Sequence, residues 1–493
     1  MALLSPITTI LSSIVVYAIW WLYRLNRNIT SIPPEALQLS GEPWTNDDIR
    51  NAWNKFERVE HDFTKYLPPK QNRRYVVFGG SGSSPNSSPH PSTEAPWTVL
   101  AHTTDCMTGL VGGWIVEHLI LRGEDPRAIR IVDLAAPRRE HAVKEHVTHI
   151  KADISDAASV DSVFSLPWPK EVADLPLTVF HTAAYIQSGH RSKTSLPIYL
   201  RVNIQGTRNV LDAAKAAGCD ILIATSSASI ALKAQTVFSF LPWRRYPDGF
   251  IQVHDNAEAE DYDAPLHRFA GSYAWSKARA DKMVRDADDK KARFRTGTIR
   301  PGHTIYGHGD ENENSLPTKY LIRGGLPTWL SNFALQLVSA QNVSLAHLLY
   351  ESRIHSHDLG GQGYAISDAA NPPIRYADLE RFLELLAHPA TPVRWRYVPP
   401  VPIMLLAYLN EVYVTLQHGY LSSILPRLSP DLELLQPAMF NCANMHVVYG
   451  GSRAREELGY RSTHTTLEGL YLIVKEWNDN VEAKIAAAKI PPL

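Results

Sequence analysis

Short apolar segments alternate with amphipathic helical segments along residues 75–302 of this 493-residue chain. Several of these segments, such as YVVFGG at residues 75–80, are apolar at consecutive positions, which is typical of strands buried on both sides. Alternation of this kind requires parallel strands, because each helix carries the chain back across the sheet before the next strand starts. We therefore predict an α/β fold with a doubly wound parallel sheet. The predicted strands are 75–80, 128–134, 147–154, 177–184, 220–229 and 295–302, and the predicted helices are 112–122, 199–217 and 273–287.

Composition narrows the class of protein further. Hydrophobic residues make up 44% of the chain and charged residues 20%, so a packed core is expected. The net charge of −1 provides no field that would attract nucleic acid, and we expect no such partner. Three cysteines, Cys106, Cys219 and Cys442, lie far apart without a C-x-x-C pair. A disulfide framework or a metal site is therefore not expected, and a reducing compartment fits.

The N-terminal segment differs from the rest of the chain. Residues 3–23 carry no charge, and about 20 apolar residues span the core of a bilayer. Trp20 and Trp21 lie where an interfacial aromatic belt would be, and Arg24 and Arg27 follow them. A cleaved signal peptide has the opposite order of charges, so we predict a retained anchor over a signal peptide or a buried helix. The basic flank would keep the following domain in the cytosol.

A split glycine motif follows the first predicted strand. When residues 83–109 are left out, Gly79, Gly82 and Gly112 form a G-x-x-G-x-x-G turn that opens a helix. Such a turn lets the backbone approach a pyrophosphate, which also meets the free N–H groups of the helix N-terminus. The motif predicts a dinucleotide site; a plain glycine turn is the alternative.

An acidic residue marks the expected ribose position. Asp133 ends the second strand, at the distance where a carboxylate meets the adenosine ribose. A carboxylate there favours NAD because it would repel a 2′-phosphate. Arg138 and Arg139 follow closely and leave NADP open.

Residues 83–109 interrupt this motif with a Ser-, Pro- and Thr-rich stretch that has no period. The stretch is either a loop extruded from the turn or translated sequence that normal splicing would remove. We favour removal, because a long insertion costs loop ordering and would displace the helix from the phosphates.

The candidate catalytic residues form a Y-x-x-x-K pair, Tyr273 and Lys277. Residues four apart share a helix face, and an ammonium beside a phenol lowers the phenol pKa from about 10. Ser226 and Ser227 follow the fifth strand, at the edge where open α/β sheets bind ligands. A serine there can hold a substrate oxygen while the tyrosine exchanges its proton. Alone, the pair would indicate only a surface Tyr and Lys.

Taken together, these pieces resemble an extended short-chain dehydrogenase/reductase. Within that superfamily the chain is similar to the 3β-hydroxysteroid dehydrogenase/isomerase family, most of all to the sterol-4α-carboxylate 3-dehydrogenases. The likeness covers about residues 75–482. The segments that carry it are GGSG, LVGGWIVEHLILRGEDPRAIRIVDL, ADISD, VFHTAA, VNIQGTRNVLDAAKAAG, TSSAS, YAWSKARAD, IRPGHTIYGHGDEN, GQGYAISD and SRAREELGYRS.

The resemblance implies roles for individual residues. It implies Ser227, rather than Ser226, with Tyr273 and Lys277 as the catalytic trio, and Lys277 also at the cofactor ribose. Asn203 would support the site or serve only its helix, and Pro301 would line the nicotinamide or simply end its strand. Further cofactor contacts are implied for Asp153 and Ile154 beside the adenine, and for Ala183 and Ala184.

The implied activity is NAD(P)-dependent oxidation of a 3β-hydroxyl on a sterol or sterol-like triterpenoid, with loss of a C4 carboxylate where one is present. The implied location is the endoplasmic reticulum membrane, with a single span and possible association with other sterol-processing enzymes. A reductase or epimerase of another small molecule is the first alternative. A catalytically dead, membrane-tethered binding protein is the second, if the insertion is real.

These features divide the chain into an anchor (1–27), a linker (28–72), a Rossmann-type NAD-binding domain (73–310) and a smaller substrate lobe (311–493) interwoven with it. Residues 398–417 form a strongly apolar segment that contains Asn410 and Glu411. A membrane-facing helix and a core helix of the lobe both fit it, whereas a second span does not, because a charge at mid-bilayer is costly.

Overall fold

The computed structural model of the chain describes residues 4–57, 62–79, 108–134, 146–187, 189–193, 195–235, 245–310, 315–368, 373–419, 421–429, 432–433 and 435–489. The strands are β1 (Arg74–Phe78), β2 (Ile129–Asp133), β3 (Thr148–Lys151), β4 (Leu177–His181), β5 (Ile221–Thr225), β6 (Ile251–His254), β7 (Arg295–Pro301), β8 (Thr304–Tyr306), β9 (Pro327–Thr328), β10 (Ala334–Leu335), β11 (Leu337–Ser339), β12 (Gly363–Ile366), β13 (Ile374–Arg375), β14 (Arg396–Tyr397) and β15 (His446–Tyr449).

The helices are α1 (Leu4–Ile29), α2 (Pro34–Leu39), α3 (Asn46–Phe56), α4 (Thr108–Leu121), α5 (Ala157–Ser165), α6 (Leu196–Tyr199), α7 (Gly206–Ala216), α8 (Ser272–Asp286), α9 (Leu316–Arg323), α10 (Ala340–Arg353), α11 (Tyr376–Leu386), α12 (Pro400–Gly419), α13 (Pro437–Ala443), α14 (Ser452–Glu457) and α15 (Thr466–Lys489). A π-helical stretch, Leu200–Gln205, joins α6 to α7.

The main sheet has the predicted parallel, doubly wound form. Within the described residues its strands lie in the order β12-β7-β5-β4-β1-β2-β3, and every neighbouring pair is parallel. The order reverses between β1 and β4, so the loops that follow these strands part and leave a crevice at the carboxyl edge. The sheet topology therefore confirms the predicted fold class.

Helices cover both faces of this sheet. Tyr75 and Val77 of β1 pack with α4 and α10, whereas Val76 and Phe78 pack with α5 and α7. Successive side chains of a strand point to opposite faces, so a strand covered on both sides needs an unbroken apolar run. This need explains why the sheet strands could be found in the sequence.

Two regions are more ordered than the sequence pattern indicated. The part of the chain expected to be an irregular lobe contributes β12, which extends the main sheet with Tyr364 paired to Ile299. The expected linker is packed on the lobe, since the Trp53 and Tyr471 rings lie 4.3 Å apart. Its helix α3 begins with a capping box formed by Thr45 and Asp48.

The first helix has two halves with different surroundings. Its outer half exposes large apolar side chains between Ile10 and Trp20, whereas Trp21, Leu25 and Ile29 are buried in the core of the C-terminal lobe. Within the described residues, this N-terminal segment alone is long and apolar enough to cross a membrane. Length and composition thus fit the predicted anchor.

A buried ion pair ties α8 to the sheet. Arg300 of β7 donates to both carboxylate oxygens of Asp281, at 3.0 and 2.7 Å, and neither side chain is exposed. Thr298 donates to the same carboxylate at 2.8 Å. Burial opposes the charge on Asp281, but the charge and hydrogen bonds of Arg300 hold the pKa of this carboxyl below its usual value. The pair fixes the helix that carries the predicted Tyr273 and Lys277.

Replacing Asp281 with Ala should lower the free energy of unfolding by about 3–5 kcal/mol, because it leaves the buried Arg300 charge without its main partner. The loss is measured by chemical unfolding of the full chain in detergent micelles. Since the folded pKa of Asp281 is depressed, its contribution is present at neutral pH and is lost as the pH falls through that value.

Asp286→Ala is the matched control on the same helix. Asp286 pairs with Lys282 at 2.7 Å but is 63% exposed, so its loss should cost less than about 1 kcal/mol. Equal destabilisation by the two variants would show that the Asp281 pair does not hold α8.

Candidate active site

A tight turn follows β1. Gly79 has a φ of +83°, and a Cβ there would lie 2.8 Å from the backbone nitrogen of Ala183. A Cβ on Gly112 would lie 2.4 Å from the Gly79 carbonyl oxygen. Neither position has room for a larger residue, so strand, turn and helix α4 meet backbone to backbone. Thr182 closes the turn by donating to the carbonyl of Phe78 at 2.8 Å.

Helix α4 starts at Thr108, one turn before the predicted start at Gly112. The N–H groups that the helix leaves unpaired for a phosphate therefore belong to residues 108–111, the last two residues of the interruption and the two that follow it. The contact between Gly79 and Gly112 shows that α4 is not displaced from β1. Gly82 and residues 83–107 lie outside the described residues.

The acidic residues predicted for the adenosine end lie beside this turn. Asp133 is half-buried at the end of β2, and the preceding Val132 carbonyl accepts from Gly79 N at 2.8 Å. Asp153 follows β3 and accepts from Ser155 N at 2.8 Å. Ile154 is buried against Gly206. Arg138 and Arg139 lie outside the described residues.

The loop after β4 completes this edge. Ala183 contacts the Gly79 turn, and Ala184 is buried next to it. Asn203 accepts from Tyr185 N at 2.7 Å and donates to Tyr185 O at 3.0 Å and Ser276 Oγ at 2.9 Å. Asn203 thus ties the loop after β4 to helix α8.

These features fit a dinucleotide. Gly79 and Gly112 approach each other with no room for a Cβ at either position, α4 begins one turn before Gly112, and a carboxylate lies at the tip of β2. Gly79, Gly112, Asp133 and the residues after β3 and β4 would hold the cofactor at this edge.

Helix α8 brings the predicted catalytic pair to the neighbouring part of the edge. Lys277 is buried and donates from Nζ to the carbonyl of Thr225, the last residue of β5, at 2.7 Å. Burial, and next the Lys277 charge, lower the pKa of His181 to about 3, so this histidine is neutral. Tyr273, one turn earlier on α8, is half-buried and reaches a cavity.

The two adjacent serines have different surroundings. Ser226 Oγ is enclosed and lies beside the Asp281 carboxylate, whose charge it helps to stabilise. Ser227 is half-buried and accepts from Ser229 N at 3.2 Å, with the two hydroxyls 2.8 Å apart. Of the two hydroxyls, the geometry therefore favours that of Ser227 as the one available to a ligand.

The cavity beyond β5 and β7 measures about 430 Å³. Burial lowers the pKa of His303 on its wall to about 4, so this histidine is neutral. Among the described residues that line the cavity, only Lys319 carries a charge. Most other lining residues are apolar or aromatic: Ile186, Leu232, Tyr273, Pro301, Ile305, Leu316, Tyr320, Leu326, Pro327, Trp329, Leu330, Tyr376, Met439, Cys442 and Ala443.

The structure brings together Ser227, Tyr273 and Pro301 on the cavity wall, with Lys277 behind them. Sequence reasoning did not single out Lys319 or His303 as wall residues. The motif IRPGHTIY ends at the cavity, so the position of His303 two residues after Pro301 was the available signal. Lys319 had no local signal.

Comparison with known proteins identifies the relatives of this chain. Residues 106–388 match the 3-beta hydroxysteroid dehydrogenase/isomerase family. The short-chain dehydrogenase/reductase family 42E member 1 of Mus musculus is 26% identical over 57% of this chain and 66% of its own length. An Arabidopsis thaliana 3beta-hydroxysteroid-dehydrogenase/decarboxylase, isoform 2, is 25% identical over 73% of this chain and 59% of its own length. The 3 beta-hydroxysteroid dehydrogenase type 7 of Mus musculus is 26% identical over 75% and 93%.

Solved structures share the fold at lower identity. An epimerase from Methanothermobacter thermautotrophicus is 15% identical, with a TM-score of 0.51 over 86% of this chain and 96% of its own. MoeE5 in complex with UDP-glucose and NAD is 16% identical, with a TM-score of 0.51 over 83% and 99%.

The family match agrees with the resemblance drawn from the sequence. The match confirms the predicted class of enzyme, an oxidoreductase that uses a nicotinamide cofactor. Because residues 106–388 are more than half of the chain, the protein belongs to the 3-beta hydroxysteroid dehydrogenase/isomerase family.

Proposed function

We propose that this protein oxidises the 3β-hydroxyl of a sterol or sterol-like triterpenoid with NAD. The observation that carries the proposal is the cavity of about 430 Å³, largely apolar, with Ser227 and Tyr273 on its wall. A rigid hydrocarbon ligand with one reacting hydroxyl needs such a site: apolar walls and a few polar groups at one place. The names of the Arabidopsis and mouse relatives support the same substrate class.

The proposed chemistry divides the work among three side chains. NAD bound along the carboxyl edge supplies the hydride acceptor. Tyr273 takes the proton of the substrate hydroxyl, and Ser227 donates a hydrogen bond to the same oxygen. Lys277, buried one turn from Tyr273, favours the phenolate that this role requires. The proton of the substrate hydroxyl therefore leaves through Tyr273.

A finer proposal concerns a carboxylate at C4 of the substrate. Oxidation at C3 of such a sterol gives a β-keto acid, which loses CO₂ because the ketone accepts the electrons of the broken bond as an enolate. No further catalytic residue is required for that loss. Lys319, on α9, supports a carboxylated substrate, because a cation on the cavity wall can bind a carboxylate through a charge-assisted hydrogen bond.

The cavity also bears on the alternative of a sugar-nucleotide epimerase or another small-molecule reductase. A nucleoside diphosphate carries two phosphates, which proteins hold with several cations and N–H donors. Among the described lining residues Lys319 is the one charged group, which fits a single carboxylate better than two phosphates. No observation favours the second alternative, a catalytically dead tether, since the described site groups are assembled.

We further propose that α1 anchors the protein in the endoplasmic reticulum membrane by a single span, with the catalytic domain in the cytosol. Arg24 lies over the Trp20 ring at 5.4 Å, a pairing suited to the membrane–water interface. A sterol substrate partitions into that membrane, so an anchor would hold the enzyme where its substrate is. Association with other sterol-processing enzymes would follow from the shared location.

Tyr273→Phe should reduce the rate of NADH formation from a 3β-hydroxysterol by about 10²–10⁴-fold, because it removes the proton acceptor. The assay uses the full chain in microsomes with NAD. NADH binding, followed by intrinsic fluorescence of the purified chain, should be unchanged. Wild-type turnover in this variant would eliminate the mechanism.

Lys319→Met should reduce the ratio of kcat/KM for a 4-carboxysterol to that for its 4-methyl analogue by about tenfold or more, since a hydrogen bond to a charged group is lost. Lys319→Arg keeps the charge and should largely keep the ratio. A ratio unaffected by the Met variant would contradict carboxylate recognition by Lys319, while turnover of either sterol would still support oxidation at C3.

Deleting residues 83–107, which leaves α4 whole from Thr108, should preserve NADH binding, because Gly79 and Gly112 can meet without these residues and the deletion removes the cost of ordering them. Intrinsic-fluorescence titration of the full and shortened chains measures this. Failure of both to bind would favour a dead tether. Trypsin cuts after Arg74 and next after Arg122, so detection of the peptide 75–122 with residues 83–109 included, in active native enzyme, would refute their removal by splicing.

A further inference from the structure

A second cavity lies behind the loop that follows β4. It measures about 290 Å³ and is bounded by that loop, by α6 with the π-helical stretch, and by the C-terminal end of α12. Its apolar wall consists of Pro197, Ile198, Val414 and the ring of Tyr185. Among the described residues, none lines both this cavity and the one that holds Ser227 and Tyr273, called the catalytic cavity below.

The two cavities lie on opposite sides of one short segment, residues 185–187 and 189–190. Ile186, Gln187 and Gly189 line the catalytic cavity, whereas Tyr185 and His190 line the second cavity. This segment is therefore a wall that the two cavities share.

Hydrogen bonds hold the shared wall at both ends and in the middle. At one end, Asn203 binds both backbone groups of Tyr185. In the middle, the Tyr199 hydroxyl donates to the Gln187 carbonyl at 2.6 Å. At the other end, the carbonyl of residue 190 accepts from Ser272 N at 2.8 Å. Because the wall is fixed, each cavity can hold a ligand of its own.

The histidine on this wall presents a hydrogen-bond acceptor. Burial lowers the pKa of His190 to about 4, so its ring is neutral. The Tyr199 hydroxyl gives its hydrogen to Gln187, so its oxygen accepts from His190 Nδ1, which lies 3.3 Å away. In a neutral imidazole whose Nδ1 carries the hydrogen, Nε2 is the acceptor.

Two residues before α13 add further acceptors. Gln436 is buried and donates from Nε2 to the Glu433 carbonyl at 2.8 Å, which leaves its amide oxygen as an acceptor. The Glu433 side chain is 25% exposed, and its Oε1 lies 3.4 Å from His418 Nε2. Burial, and next the charge of Glu433, raise the pKa of the Tyr185 hydroxyl, so this carboxylate lies close to the shared wall.

The two cavities differ in charge. Glu433 is the one anion among the described residues that line the second cavity, and the one arginine there, Arg201, is exposed to solvent. The catalytic cavity has Lys319 as its one charged wall residue among those described. A cationic ligand is therefore attracted by the second cavity and repelled by the catalytic one.

We propose that the second cavity is a separate binding site for an apolar primary amine. A protonated amine carries a positive charge, three N–H donors and no acceptor, which complements the Glu433 carboxylate and the acceptors of His190 and Gln436. Hydrogen bonds between charged partners are the stronger kind. The hydrocarbon body of the amine lies against Ile198 and Val414.

The test compares two probes that share one compact apolar body, adamantylamine and adamantanol. Calorimetric titration of the full chain in detergent micelles, without NAD or sterol, measures both affinities. The amine should bind at least about tenfold more tightly than the alcohol, because only the amine forms a charge-assisted hydrogen bond with Glu433. Equal affinities would overturn the assignment of the ligand as an amine.

Two substitutions locate the amine. Glu433→Gln removes the charge at constant volume and should weaken amine binding about tenfold or more, while adamantanol binding changes little. Val414→Trp fills the cavity and should abolish binding of both probes. Val412→Trp is the matched control on the same helix, because Val412 is 59% exposed and does not line this cavity.

Amine binding that withstands Glu433→Gln would overturn the proposal, and this variant decides the matter even if Val414→Trp does not fold. Met439→Trp narrows the catalytic cavity, which Met439 lines, and should leave amine binding unchanged. Loss of the amine in that variant, or competition between the amine and a 3β-hydroxysterol in the NADH assay, would place the amine in the catalytic cavity and likewise overturn a separate site.

Discussion

The buried pair between Arg300 and Asp281 is the constraint on which the candidate site depends. Tyr273, Lys277 and Asp281 are four residues apart in succession, so they form one stripe along α8. Asp281 binds Arg300 of β7, Lys277 donates to the end of β5, and Tyr273 reaches the cavity. A charge buried without its partner would cost several kcal/mol, so the helix has one favoured position along the sheet. That position determines where the phenol lies.

The pair of Arg300 and Asp281 also gives the adjacent Ser226 and Ser227 different surroundings. Both serines line the cavity, but Ser226 Oγ is buried beside the carboxylate, which leaves the Ser227 hydroxyl as the more accessible of the two. In an extended chain consecutive side chains point to opposite sides, so the serine that faces Asp281 excludes its neighbour from the same position. The Ser226 hydroxyl therefore belongs to the polar network around Asp281, whereas the hydroxyl of the adjacent Ser227 faces the cavity.

Sequence patterns predicted six of the seven strands of the main sheet and the helices α4, α7 and α8, because strands covered on both faces need unbroken apolar runs. They could not choose between Ser226 and Ser227, or pair Arg300 with Asp281, since those choices depend on contacts between distant segments. The short strand β12 was missed for the same reason: its four residues are stabilised by pairing with β7. The sequence allowed residues 398–417 to be either a membrane-facing helix or a core helix of the lobe. Each of these interpretations described one side of α12, because a periodic pattern does not reveal what covers each face.

The order of the strands explains how one sheet edge can serve two ligands of opposite polarity. The glycine turn and Asp133 lie on the side of β1, β2 and β3, whereas the cavity lies beyond β5 and β7. The switch point between β1 and β4 separates these halves, so a cofactor placed across it would have its charged end away from the cavity. Helices α1 and α12 belong to the lobe on the apolar half. Anchoring the chain by that lobe would turn the cavity towards lipid and leave the nucleotide end in water, an arrangement suited to a membrane-borne alcohol and a soluble cofactor.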